Sequence, residues 1–315
     1  MKLTTRRTVA VTVLIGSMTL TMTACNRESP SAGGKDGKNI TFALSTLNNP
    51  FFVDVRDGAQ EAAKKAGATL NVVDAQNDAA TQANQMSDTV TKKPAAVIIN
   101  PVDSDAAGAA VKPVINAKIP VVAADRGVNG AEVNSLVSSD NVAGGKQAAE
   151  ALAKAVGEKG EILVLQGVAG TSASRDRGQG FEEGIKAFPN IKVVSKQPAN
   201  FDRTQGLNVT TNLLQSNPNI VGIFTENDEM ALGAIQALGE KAGSAVKVVG
   251  FDGTADGLKA VKAGTMAATV AQQPKLLGEK AIELAMKLAK GEKVDKSVPV
   301  PVKTVETSNV DEFLK

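Results

Sequence analysis

The sequence predicts an α/β protein built as two similar open parallel-sheet lobes joined by a multi-strand hinge. Three observations carry that expectation. Short β-branched runs alternate with amphipathic stretches of about 12–16 residues from residue 40 onward, the pattern of a parallel sheet covered on both faces. The runs fall into two series of like build, and polar residues gather where the runs end. At 315 residues the chain is long enough for two moderate cores.

The first series of strands is expected at residues 40–45, 69–73, 96–100 and 121–125, with helical patterns such as 53–66 between them. The second is expected at 162–166, 193–197, 221–225 and 246–251, with helical segments such as 181–188 and 204–215. Between the series, a strand-like segment at 133–140 runs into a glycine-containing helix start at 142–145, and the chain first crosses between lobes there. A further strand at 267–272, a helix at 274–289 and a Val/Pro-rich ending at 298–305 follow. The expected lobes are therefore 39–139 with 273–301, and 140–272 with 302–315, joined by a multi-strand hinge. In open α/β sheets ligands settle beyond the carboxyl ends of the strands, so polar residues at those ends are the candidates.

The N-terminus reads differently. Lys2, Arg6 and Arg7 precede an apolar stretch at about residues 9–22, short of the ~20 apolar residues that span a bilayer comfortably. Thr23 and Ala24 come directly before Cys25, the layout of a leader (1–24) that is cut so that the new N-terminal cysteine is acylated. Residues 25–38, rich in Ser, Gly, Pro and charge, are expected to form a flexible tether. The expected location is extracytoplasmic, on a lipid anchor in the cell membrane.

Composition closes off several function classes. The leader carries three of the 35 basic residues, so the remainder holds 32 against 33 acidic ones, a net −1, and has no basic surplus for nucleic acid. The chain has no His, Trp or Tyr, and Cys25 is its one cysteine. A Ser/His/Asp or Cys/His nucleophile has no base, the usual zinc ligands are missing, and no intrachain disulfide can form. No calcium loop is visible, because residues 74–78 lack its spacing. No cofactor and no metal are expected.

The strand ends suit a small polyol. Asn48, Asn49, Pro50, Phe51 and Phe52 follow the first strand, Asp125 and Arg126 end the fourth, and later ends carry Asn227, Asp228, Phe251, Asp252 and Gln272. Arg175 and Phe201 stand in loops between. A sugar ring has apolar C–H faces and a belt of hydroxyls, so its site needs flat walls and paired donors and acceptors. Phenylalanine supplies the walls; Asp, Arg, Asn and Gln supply the belt, with charge-assisted bonds the stronger ones. Taken singly, a Phe after a strand is more often core and an Asn or Asp there more often a helix cap.

Several longer strings stand out: STLNNPFF (45–52), INPVDSDA (99–106), SSDNVAGGK (138–146), LQGVAGTSASRDRGQGF (165–181), NFDRTQGLNV (200–209), ENDEMALGA (226–234) and GFDGT (250–254). In these strings the chain resembles the periplasmic D-ribose-binding family, over essentially all of residues 40–305. The resemblance implies a two-lobe fold, related to the type I periplasmic binding proteins, that closes on its ligand like a jaw. It implies sugar contacts from Asn49, Phe51, Phe52, Asp125, Arg126, Arg175, Phe201, Asn227, Asp252 and Gln272, where Arg175 is taken as the arginine of the SRDRG string. It also implies D-ribose or a close pentose as ligand, the membrane subunits of an ABC permease as partners, membrane lipid held through acylated Cys25, a monomer, and no enzymatic activity. The box before Cys25 resembles that of bacterial lipoproteins, with Met22 where the family usually carries Leu. Other departures, Gly127, Val128, Glu226 and Gln273, lie outside the sugar positions.

Three rivals are weaker. Gly178, Gly180 and Gly184 lack the spacing of a dinucleotide loop and do not follow a strand directly, so they read as a helix start. Asp125 and Asp252 imitate a glycosidase pair, but hydroxyl binding beside an arginine keeps a carboxylate ionised and unsuited to act as an acid. Sugar-responsive repressors share the body but carry a DNA-binding helix-turn-helix where this chain has a leader and tether. The closest competitor is a different ligand within the family: another pentose, allose or a furanose-like signal.

Overall fold

The structure is a computed structural model that describes residues 38–314. The expected leader, Cys25 and the tether up to residue 37 lie outside the described residues.

In chain order the first half runs β1 (Asn39–Leu44), α1 (Pro50–Lys65), β2 (Thr69–Asp74), α2 (Ala79–Lys92), β3 (Ala96–Ile99), α3 (Ala107–Asn116), β4 (Val121–Ala124) and β5 (Ser135–Ser139). There follow α4 (Asn141–Ala155), β6 (Gly160–Gln166), α5 (Ser172–Ile185), β7 (Ile191–Pro198), α6 (Arg203–Ser216), β8 (Ile220–Thr225), α7 (Asp228–Leu238), β9 (Lys247–Asp252), α8 (Ala255–Lys262) and β10 (Ala268–Ala271). The chain closes with α9 (Pro274–Ala289), β11 (Ser297–Val300) and β12 (Lys303–Glu306).

The strands form two six-stranded sheets, β11-β5-β4-β3-β1-β2 and β12-β10-β9-β8-β6-β7. Every pairing in the first is parallel, and in the second β12 alone runs antiparallel to its neighbour. The chain passes between the sheets three times: from β5 into α4, from β10 into α9, and from β11 into β12. The Val/Pro-rich ending is thus two strands, one in each sheet.

Alternation along the strands builds the cores, because successive side chains point to opposite faces. Ile40, Phe42 and Leu44 of β1 pack with Val55 and Ala59 of α1 and Leu277 and Ile282 of α9 on one face. Ala43, Val97 and Ile99 meet Met86 of α2 and Val111 of α3 on the other. In the second sheet Ile162, Val164, Val249 and Phe251 face Leu152 of α4 and Phe181 of α5. Leu163, Ile223 and Val248 face Met230 and Ala234 of α7 and Val261 of α8.

One element departs from expectation in a way that matters to the site. The sequence predicts a helix only from residue 181, with glycines at its start and Arg175 in a loop, but α5 begins at Ser172. Thr171 caps it, its hydroxyl accepting from the Ser174 N–H, so the turn is fixed well before the glycines. Gly180 lies mid-helix because α4 packs there: a Cβ on it would collide with the Val142 carbonyl, and one on Gly145 would collide with the Arg177 carbonyl. Close packing of two backbones outweighs the roughly 1 kcal/mol that glycine costs in a helix interior.

Candidate functional site

The carboxyl ends of both sheets face a shared cavity lined by residues of both. Nine of the ten candidates line it: Asn49, Phe51, Phe52, Asp125, Arg126, Phe201, Asn227, Asp252 and Gln272. Ala173 and Arg177 complete the wall.

Arg175 is the exception. Its side chain is 41% exposed and pairs with Asp105 at 3.3 Å, outside the cavity. The reason is helical phase. Two residues along an α-helix turn the side chain by about 200°, so Arg175 and Arg177 point to nearly opposite faces. The face that enters the protein carries Ala173, Arg177 and Phe181, each four residues from the next and all buried. That spacing was the available signal, since the apolar Ala173 and Phe181 mark the inward stripe and Arg177 sits midway along it. Replacing Arg175 by Ala is expected to change sugar affinity by less than about fivefold in calorimetry, because an exposed ion pair contributes only ~0–1 kcal/mol.

The first sheet supplies one aromatic wall and one ion pair. Asn49 caps α1, its Oδ1 accepting from the Phe51 N–H at 2.9 Å, and so turns the next two residues inward. Phe51 and Phe52 meet edge to face with centroids 5.2 Å apart. Asp125 follows β4 with φ +66°, which a non-glycine residue adopts at a cost. Asn100, at the end of β3, steadies it by donating from Nδ2 to the Ala124 carbonyl at 3.2 Å and to Asp125 Oδ2 at 3.3 Å. Arg126 donates from Nη1 to the Pro101 carbonyl at 2.9 Å and lies over the rings of Phe52 and Phe201.

The second sheet mirrors this arrangement. Phe201, at φ +59°, is the opposite wall, and its ring presses on Gly167 so closely that a Cβ there would collide with it. Asn227 caps α7, accepting from the Met230 N–H at 2.9 Å, and donates to the Phe201 carbonyl at 3.3 Å. Asp252 ends β9 at φ +116°. Its Oδ1 accepts from Gln272 Nε2 at 2.6 Å and from Arg177 Nη1 at 3.4 Å. Arg177 also donates from Nε to Asn141 Oδ1 at 2.9 Å and from Nη1 to the Glu226 carbonyl at 2.7 Å, with its guanidinium 3.9 Å above the Phe251 ring.

The four charges sum to zero and all are buried. Burial pushes the Asp125 carboxyl up, with Arg126, Arg177 and Asn100 opposing. Burial lifts Asp252 well above its usual range against the pull of Arg177, and lowers Arg126 against that of Asp125. Three cavity-lining residues hold a buried polar atom with no hydrogen-bond partner: the acceptors Asp125 Oδ1 and Gln272 Oε1, and the donor Arg126 Nε, which faces Asp125 Oδ2 in an ion pair at 3.6 Å. Buried polar groups are nearly always paired, so these atoms point to a ligand that both donates and accepts.

A seam of short bonds joins the two lobes beside the cavity. The Ser104 N–H donates to the Gly170 carbonyl at 2.9 Å, the Ser172 N–H to Ser104 Oγ at 3.0 Å, and the Gly127 N–H to Ser172 Oγ at 2.9 Å. The exposed Arg175–Asp105 pair spans the same seam.

Two open sheets clasped over a neutral, aromatic-walled and hydroxyl-seeking crevice define a bilobal receptor for a small polar solute. The model of the periplasmic binding protein domain matches residues 40–293, and the chain belongs to that family. It is 49% identical over 277 residues to the ribose import binding protein RbsB of Salmonella typhimurium, covering 88% of this chain and 93% of that one. It is 42% identical over 300 residues to RbsB of Bacillus subtilis, covering 93% and 97%. Among solved structures, an ABC transporter periplasmic solute binding protein from Actinobacillus succinogenes with bound D-allose superposes with a TM-score of 0.82 at 34% identity, covering 87% of this chain and 99% of that one. The family is one of extracytoplasmic substrate-binding proteins of ABC transporters and not of enzymes.

Proposed function

We propose that this protein binds D-ribose between its lobes and delivers it unchanged to the membrane subunits of an ABC importer. The observation that carries the reading is the set of unpartnered atoms on Asp125, Arg126 and Gln272 between the walls of Phe51, Phe52 and Phe201. A pentose ring lies flat between the phenyl groups, and its hydroxyls donate to Asp125 and Gln272 and accept from Arg126 and Arg177. Because these groups come from both sheets, the sugar favours the closed arrangement by touching both halves at once. The lobes are 39–139 with 273–301 and 140–272 with 302–315, and they move about the three crossings. The closed face is the surface the permease recognises. Acylated Cys25 and the tether hold the protein, as a monomer, at the outer face of the membrane.

The ligand class is tested by a thermal-shift series of the mature protein against pentoses and hexoses. At a hundred times its Kd a ligand stabilises the native state by ~2.7 kcal/mol, a rise of roughly 5–10 °C for a protein of this size. D-Ribose is expected to give the largest rise at the lowest concentration. A larger response to D-allose, the sugar in the Actinobacillus structure, replaces ribose by a hexose in the same cleft. A flat response to every sugar contradicts the reading.

A further inference from the structure

Glu226 directly follows β8, one residue before Asn227, and its side chain is fully buried behind the cavity wall without lining it. Its Oε2 accepts two hydrogen bonds, from the Gly167 N–H at 2.7 Å and from the Ser174 hydroxyl, while Oε1 has no partner. Each donor backs part of the sugar cleft. Gly167 lies directly under the Phe201 ring, and Ser174 sits in the first turn of α5 between Ala173 and, three residues on, Arg177. The Glu226 carbonyl itself accepts from Arg177 Nη1. One residue thus ties together the aromatic wall, the helix that carries the arginine, and the arginine itself.

We propose that Glu226 is a positioning residue for the sugar cleft, whose ionised carboxylate holds Phe201 and Arg177 in place, so that affinity follows its protonation. This inference rests on the sugar reading above. A carboxylate makes charge-assisted bonds about twice as strong as neutral ones. A proton on the unpartnered Oε1 leaves Oε2 a weaker acceptor for both donors, and the wall and helix turn loosen together. Burial raises the carboxyl to about 7, against the bonds from Gly167 and Ser174 and the charge of Arg177. The charged groups around it are few. Arg177 and Glu182 come from α5, with Glu182 adding to the rise. Asp252 of β9 is reached through Arg177. Asp228 of α7 is held by Thr254 and Thr269. The loop 167–171 carries no titratable residue.

The sign differs between stability and binding. A buried carboxyl raised above its unfolded value binds its proton more tightly when folded. Its contribution to stability is fully present below about pH 4.3 and is lost as pH rises to 7. Sugar affinity is expected to move the other way, increasing as Glu226 ionises. A purely structural role would move both in the same direction.

Calorimetric titration with D-ribose between pH 5.5 and 8.5 tests this. The wild type is expected to weaken about three- to tenfold from pH 8 to pH 6, the scale on which one hydrogen bond counts. Glu226→Gln is expected to bind at a constant, reduced affinity across the range. Ser174→Ala removes one of the two stabilising donors, so the midpoint is expected to move to higher pH, which decides the matter if Glu226→Gln fails to fold. A flat wild-type profile with normal binding overturns the inference and leaves the sugar reading standing. A pH dependence that survives in Glu226→Gln, or a midpoint unmoved in Ser174→Ala, overturns it as well. A wild type that binds no sugar at any pH overturns the sugar reading and the inference with it.

Discussion

Replacing Arg177 by Ala is expected to lower D-ribose affinity by at least two orders of magnitude in calorimetry, with the protein still folded. The guanidinium joins Asn141 at the start of α4, the Glu226 carbonyl and Asp252, and it stacks on Phe251. Removing it leaves the buried Asp252 side chain with Gln272 as its one hydrogen-bond partner, beside the charges of Asp228 and Asp125. Truncating one partner of a buried, hydrogen-bonded charge pair at a binding site costs up to roughly 3–5 kcal/mol, or about two to three and a half decades in Kd. Arg177→Lys is not expected to rescue binding, because a point charge cannot serve three partners in fixed directions and stack at once. Wild-type affinity in Arg177→Ala would remove this residue from the site.

Gly145→Ala is expected to lower both stability and affinity. The new methyl meets the Arg177 carbonyl and the Phe181 N–H, so α4 and α5 must separate. Overpacking of this kind costs typically ~1–3 kcal/mol, which for a protein of this length lowers Tm by about 2–10 °C. Because the displaced backbone belongs to Arg177, sugar binding is expected to weaken in the same variant. A Tm within a degree of wild type would show that the helices have slack where the structure gives them none.

These residues also show what the sequence allows to be read and where it stops. The strands and their alternation were legible because burial on both faces leaves a dense β-branched record, as in residues 96–99 and 121–124. Asn49 and Asn227 proved to be helix caps as well as cavity-lining residues, and Phe51 and Phe52 are core and wall together. The common structural role and the functional one were therefore not alternatives. Arg175 and Arg177 could be separated only by the phase of α5, and the three glycines of that helix hid its start. Only the structure shows that Gly180 and Gly184 serve the approach of α4. Asn100, which steadies Asp125 from the next strand, carried no local signal, because its partner is 25 residues away. Nor does the sequence reveal the positive φ of Asp125, Phe201 and Asp252, three strained positions gathered around one cavity.

The proposed function requires that the two halves of the cleft grip one pentose. A crystal structure grown with D-ribose tests it most directly. Sugar hydroxyls are expected within hydrogen-bond distance of Asp125 Oδ1, Arg126 Nε, Arg177 and Gln272 Oε1, with the ring between Phe201 and the Phe51–Phe52 pair. A sugar bound elsewhere, or a cleft that stays without it at saturating concentration, would contradict the account.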